Sequence, residues 1–341
     1  MSRQTSSLRS FVITRLLLLP VTLWAVSTFL FVLLRITGDP VSATLGPRAS
    51  EAAREQMRQT MGLTGTYLEQ YLRYMGQLLH FDLGTSLATT GKPVWSIIGD
   101  FFPATLELAI AGLVVALILA IPFGLLAATH PNSPIDTATR TTGILTYAIP
   151  VFWIGMLLQL IFGVVLGWFP IGNRLPPALR PPNQLTGLYT IDAAIAGDWP
   201  TFWAALHHLA MPAFTLGLVL AGVFARMIRV HMLEVLTLPF VAAARAKGLA
   251  EWRVTMLHAG RNALVPILTV IGLALASLMG GALLTEVTFS WPGLARRLML
   301  AIGDRDYFVV QGLVVFFAAI VVTISLLLDI INAYIDPRIR Y

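Results

Sequence analysis

The 341-residue chain contains no cysteine, so neither a disulfide nor a thiolate metal site is open to it. Charge is scarce as well. Asp, Glu, Lys and Arg make up 12% of the residues, against about 25% in ordinary soluble domains. The length would allow two soluble domains, but this composition leaves too little polar surface to dissolve them. The HExxH and GxSxG patterns of zinc proteases and serine hydrolases are missing. The stretch GTSLATTGKP meets the spacing of a phosphate loop only in part. Walker spacing needs glycine where Ser86 stands, and Ser or Thr where Pro93 stands. The sequence therefore predicts no enzyme, no nucleotide site, no metal and no cofactor of its own.

What is present is hydrophobic: 57% of the residues. A hydrocarbon core of about 30 Å needs about 20 helical residues, and six stretches qualify: Phe11–Leu34, Leu106–Ala128, a span within Thr141–Asn173, Phe202–Ala225, Ala263–Thr285 and Tyr307–Leu328. None shows two-residue alternation, which argues against a β-barrel. The expected fold is all-α, a polytopic membrane protein with six transmembrane helices. Pro20, Pro122, Pro150 and Pro212 fall inside these runs and predict kinks. The first run is too long for a signal-peptide core and ends in RITGDP without a small-residue cleavage site, so it reads as a retained span.

Six spans place both termini on one side. With a cytoplasmic N-terminus, twelve Lys and Arg lie inside and five in the two short outer loops, while the six in the long loop count weakly. This sets both termini, and the basic stretch Pro239–Arg261, in the cytoplasm. The same rule accounts for the net charge of +6 without nucleic acid as a partner. The resulting division is residues 1–34 (N-terminus and first span), 35–100 (an extracytoplasmic loop) and 101–341 (a five-helix core with a cytoplasmic loop at 230–262). Within the long loop, SEAAREQMRQTMGL reads as a helix capped by Ser50, and LEQYLRYMGQLL repeats apolar residues at helical spacing. Spacing alone leaves open whether these form an outer cap or a surface loop. The proline-rich stretch Trp168–Trp199 reads as irregular.

Few ionisable groups reach the apolar runs. Neighbouring His207 and His208 point about 100° apart on a helix, so they read as packing or hydrogen-bonding residues rather than metal ligands. Glu107 and Glu286 lie nearest the hydrocarbon, which raises a substrate path, but both sit at outer span ends where water can reach them. Asp329 reads as a solvated charge at an inner end.

The basic island between the fourth and fifth spans, PFVAAARAKGLAEWRVTMLHAGR, reads as two short helices joined at Gly248. In the second, Trp252, Met256 and Leu257 share a face. Physically it is equally a hairpin lying on anionic lipid or a handle for another protein.

ARAKGL followed by HAGRNALVPILTVIG resembles the EAA-type cytoplasmic loop of ABC importer permeases, in the dipeptide/oligopeptide/nickel family. The first-permease branch is also resembled by RLLLLPVTLWAVSTFLFVLLRITGDP, MGLTGTYLEQYLRYMGQLLHFDLGTSL, KPVWSII, FPATLELA, IPVFWIGMLLQLIF, RMIRVHMLEVL, GGALLTEVTFSWPGLARRL, RDYFVVQG and the terminal DPRIRY. The resemblance implies a permease of the inner membrane that pairs with a second homologous permease and rests on two ATPase subunits. An extracytoplasmic binding protein delivers substrate, most simply di- or oligopeptides; nickel chelates, glutathione or another small solute are the family's alternatives. Outside the family, the competing reading is a membrane scaffold or receptor. The ATPase-docking element falls on Ala242, Ala243, Ala244, Arg245, Ala246, Lys247, Gly248 and Leu249. The acidic residue that names the EAA motif is absent here, where three alanines stand.

Overall fold

A computed structural model describes residues 8–36, 41, 45, 49–89 and 91–335. Arg3, Arg48 and the terminal DPRIRY lie outside the described residues. The elements are helices: α1 (Leu8–Ile36), α2 (Glu51–Thr60), α3 (Tyr67–Leu79), α4 (Val94–Thr129), α5 (Pro134–Ala148), α6 (Val151–Leu158), α7 (Tyr189–Ala196), α8 (Trp199–Leu236), α9 (Pro239–Ala246), α10 (Glu251–Arg253), α11 (Gly260–Gly281), α12 (Leu283–Thr288), α13 (Leu294–Gly303) and α14 (Tyr307–Ile335). Wider π-helical turns follow α6 at Gln159–Val165 and α10 at Val254–Ala259.

Four of these helices (α1, α4, α8 and α14) are long and apolar enough to cross a membrane. Two bent pairs bring the number to six if each is one span. The first pair, Pro134–Thr146 with Val151–Val165, turns by 101° at the Ile149–Pro150 step. A proline cannot donate to the helix ladder, and it disfavours helical geometry in the residue before it. The pair still advances along α8. Asp136 meets Arg229, Gly143 meets Gly222, and Gly172 beyond the π turn meets His208. At Pro20, Pro122 and Pro212 the helices run on without a break.

Two spans outrun the hydrophobic stretches that reveal them. α4 begins at Val94 rather than near Leu106, and α8 continues to Leu236 beyond Ala225. α8 is the central element, packed along α4, α5, α7 and α11. The α4–α8 contact is made by small residues. A Cβ at Gly124 would lie 2.8 Å from the carbonyl oxygen of Ala225, so the helices approach as closely as small side chains permit in membrane bundles. Ala116, Ala120, Ala221 and Ala225 are buried in the same seam.

The long loop is helical where expected. Ser50 accepts from the Ala53 N–H at 3.2 Å to cap α2, and Thr66 with Glu69 forms a capping box on α3. The second of these, α3, lies against the first span: Tyr71 hydrogen-bonds Thr28 of α1 at 2.8 Å, and Arg35 reaches Gln70. The stretch expected to be irregular contains α7, ended by Gly197 in the left-handed region. Asp329 is not simply solvated, because Arg15 pairs with it at 3.0 Å and ties α1 to α14.

Candidate functional site

The 239–261 island closes one end of the bundle. Pro239 opens α9, where a missing N–H costs nothing. Gly248 ends it with φ +74°, its N–H bonded to the Arg245 carbonyl at 2.9 Å. Across that turn the Arg245 guanidinium grips both oxygens of Glu251, at 3.1 and 2.5 Å, bracing the hairpin in one shape. As an exposed pair it adds no more than about 1 kcal/mol, so its value is geometric. Underneath, Val241, Ala244, Val254 and Ala259 are buried against Phe224, Ile228 and Met232 of α8.

This packing divides the residues expected to form the docking element. Ala242, Ala243, Arg245, Ala246, Lys247 and Gly248 are exposed, whereas Ala244 is buried and Leu249 half-buried, joining the hairpin to its own bundle. The aromatic and aliphatic face expected on the second helix points outward: Trp252 is 60% exposed, Met256 48% and Leu257 58%. Its α-helical part is only Glu251–Arg253, and the π turn that follows resets the side-chain spacing. Exposed Phe240 adds to this rim. Beside the hairpin, buried Asp136 at the start of α5 is held by both Nε and Nη2 of Arg229 on α8, the latter at 2.8 Å. The neighbouring loop and the hairpin are thereby anchored to the same helix.

The opposite end carries a set of buried carboxylates. Glu107 and Glu286 are not at wet span ends: they are 6% and 0% exposed. Glu107 pairs with Arg174 at 2.6 Å and accepts from the Thr190 N–H at 2.9 Å and its hydroxyl at 2.7 Å. The Arg174 guanidinium lies over the Tyr189 ring, 3.5 Å from its centroid. Glu286 accepts from the Thr105 hydroxyl at 2.5 Å and from the Arg296 N–H at 2.7 Å, capping α13. Asp306 accepts from the Ser86 hydroxyl at 2.5 Å and the Ala88 N–H at 3.2 Å. Each carboxylate binds a segment far away in sequence, so these groups fasten the loops rather than face an open path.

A protein-family model described as the binding-protein-dependent transport system inner membrane component matches residues 120–341. A companion model for the N-terminal part of such membrane components matches residues 8–109. The chain belongs to this family of ABC importer permeases. The permease is 42% identical over 304 residues to the probable D,D-dipeptide transport system permease protein DdpB of Escherichia coli, covering 89% of each chain. It is 40% identical over 334 residues to the di/tripeptide transport system permease protein DppB of Pseudomonas aeruginosa, covering 97% of this chain and 99% of that one. To the oligopeptide transport system permease protein AppB of Bacillus subtilis it is 35% identical, with the same coverage. The permease is thus a multi-pass inner-membrane subunit, and its system comprises ATPase and binding-protein components in general.

Other polar groups of the permease have structural duties. His207 Nε2 hydrogen-bonds the Trp168 carbonyl at 2.7 Å and His208 Nδ1 the Gly172 carbonyl at 2.9 Å, the packing role expected of both. No group of His, Asp and Glu able to hold a metal occurs among the described residues. Asp192 organises the turn before α7, accepting from the Thr186 N–H and hydroxyl at 2.8 and 2.7 Å and from the Gly187 N–H at 2.8 Å. Burial alone would raise its pKa, but these donors outweigh burial and hold the carboxyl below the usual range. A lowered folded pKa contributes stability that is complete above the unfolded value of about 4 and lost as pH falls through the folded value. Hydrogen exchange is therefore expected to show the Thr186 and Gly187 amides protected from neutral pH down to about pH 4. In Asp192→Ala they should open at every pH, with a local loss of about 1–3 kcal/mol.

Proposed function

We propose that the permease imports short peptides, forming the translocation path with a second homologous permease, with one ATPase subunit gripping the 239–261 hairpin and another the corresponding loop of the second permease. Both termini and the hairpin face the cytoplasm in this reading, and a binding protein delivers cargo to the opposite face. The observation that carries it is the hairpin's shape. It presents small and basic side chains at 242–248 beside an apolar rim of Phe240, Trp252, Met256 and Leu257, on a turn braced by Arg245 and Glu251. Exposed aromatic and Met side chains beside arginine are the composition of protein-binding surfaces. The peptide cargo is supported by the relatives, whose names specify dipeptides, di/tripeptides and oligopeptides. The basic-residue asymmetry supports the orientation.

Because the chain has no cysteine, a single one can be placed at exposed Ala243 or Ala246 without background. A heterobifunctional cross-linker at either site is expected to capture an ATP-hydrolysing subunit, and the yield should change when ATP binds. A hairpin that captures only lipid, with membrane association falling steeply in salt, would instead support the scaffold reading. Calorimetry on the system's binding protein with di- and tripeptides, nickel chelates and glutathione identifies the cargo.

A further inference from the structure

A cavity of about 370 Å³ lies between the end of α1, the loop helices α2 and α3, and the start of α14. Its volume is in the range of small-ligand sites. Arg35 and Arg73 line it, and among the described residues neither forms an ion pair. Arg35 Nε donates to the Gln70 side-chain oxygen at 3.2 Å and Arg73 Nη1 to the Gly62 carbonyl at 2.6 Å, both neutral acceptors. Asp82, the acid on the wall, accepts from the Gly84 N–H at 2.9 Å. Gln311, also lining the cavity and 8% exposed, has a buried Nε2 without a hydrogen-bond partner. Two cations lacking a counter-anion and a buried donor lacking an acceptor share one requirement, an oxyanion.

The position of the cavity narrows the source. The apolar stretch of α1 ends at Ile36, beside Arg35, and that of α14 begins at Tyr307, which lines the cavity. The site therefore sits where apolar span gives way to headgroups. The surfaces leading to it are apolar and uncovered: Phe29, Val32 and Leu33 on α1, and Leu68 and Leu72 on α3. The Tyr71–Thr28 hydrogen bond and the Phe31–Tyr71 ring contact, at 5.3 Å, hold α3 against the last turns of α1. A free anion would need only the arginines, whereas acyl chains make use of the apolar flank too.

We propose that this cavity binds the phosphate of an anionic phospholipid from the adjoining leaflet, with Arg35, Arg73 and Gln311 as its donors. Basic pockets between spans are suited to such headgroups. The lipid would then tie the loop helices to the first and last spans.

The full-length chain in neutral detergent, titrated with phosphatidylglycerol, phosphatidylcholine or inorganic phosphate and followed by native mass spectrometry, tests this. Phosphatidylglycerol is expected to bind roughly tenfold or more tightly than phosphatidylcholine, and Arg35→Gln/Arg73→Gln should abolish the preference. Equal retention of the two lipids, or an undiminished preference in the double variant, overturns the proposal. Tight binding of inorganic phosphate without a lipid preference makes the site one for a free anion and overturns the lipid assignment. Should the double variant fail to fold, Arg73→Gln alone, on an exposed position of α3, supplies the comparison with the same deciding outcomes.

Discussion

Gly248→Val is expected to cut ATP-driven uptake by the reconstituted importer by up to about tenfold while leaving the amount of inserted permease unchanged. The reason is conformational rather than steric. Gly248 has φ +74°, and a Cβ built there meets nothing within 4 Å. A β-branched residue in the left-handed region costs about 1–2 kcal/mol, which is too little to unfold the bundle. It is enough to change the population of one exposed turn by roughly tenfold. The hairpin would then present Ala242–Lys247 and Trp252 in the wrong relative arrangement, and the Arg245–Glu251 brace could not form across the altered turn. Gly248→Asn is the control, because asparagine tolerates this backbone region and should retain most activity. Uptake and substrate-stimulated ATP hydrolysis in proteoliposomes measure the effect. Normal coupling in the valine variant would sink the docking assignment.

Arg174→Ala should be the most destabilising single change among those at the opposite end. It would leave Glu107 buried with only the Thr190 donors, and removing one partner of a buried ion pair costs about 3–5 kcal/mol. Loss of the guanidinium also removes its hydrogen bond to the Gly187 carbonyl, at 2.9 Å, and its contact with the Tyr189 ring. Thermal unfolding in detergent is expected to fall by several degrees, with early exposure of residues 186–190 in hydrogen exchange. Glu107→Gln combined with Arg174→Met removes both charges and should recover most of the loss. A double variant no more stable than Arg174→Ala would mean that shape, not charge, holds this corner.

Contrast between apolar and polar stretches made the spans legible, and local chemistry made the short helices legible. Ser50 announced α2, and Gly248 announced the end of α9, because caps and left-handed stops depend on one residue and its immediate neighbours. The start of α4 and the end of α8 were hidden by that same contrast. Asp100 and Pro103 resemble loop residues, and Arg226, Arg229 and Glu234 resemble the end of a span, yet all are helical. Least visible were the carboxylates. Glu107, Glu286 and Asp306 find partners 67, 181 and 220 positions away, at Arg174, Thr105 and Ser86, and no periodicity encodes such pairings. At the hairpin the sequence delimits a candidate element, but only burial separates Ala244, which faces its own bundle, from Ala243 and Ala246, which do not.

The length of α8 fixes how far the hairpin hangs from the bilayer. Its 38 residues span about 57 Å at 1.5 Å per residue, nearly twice the roughly 30 Å of hydrocarbon. Trp199 and Trp203, exposed at one end, suit an aromatic belt, so the apolar crossing is complete near Arg226. The remaining turns to Leu236 form a stalk of roughly 15 Å. The hairpin is welded to the tip of this stalk through Met232, Val241 and Ala244. In the proposed orientation this stalk would hold the tip of the hairpin off the headgroups, a stand-off that a hairpin lying on lipid would not have. The stalk also gives a partner leverage, since a sideways pull of about 3 Å at its tip tilts a 15 Å arm by roughly 10°. α8 is continuous through Pro212, so in the proposed orientation a tilt of the stalk would reach the small-residue seam with α4, whose Gly124–Ala225 contact lies beside the end of the crossing.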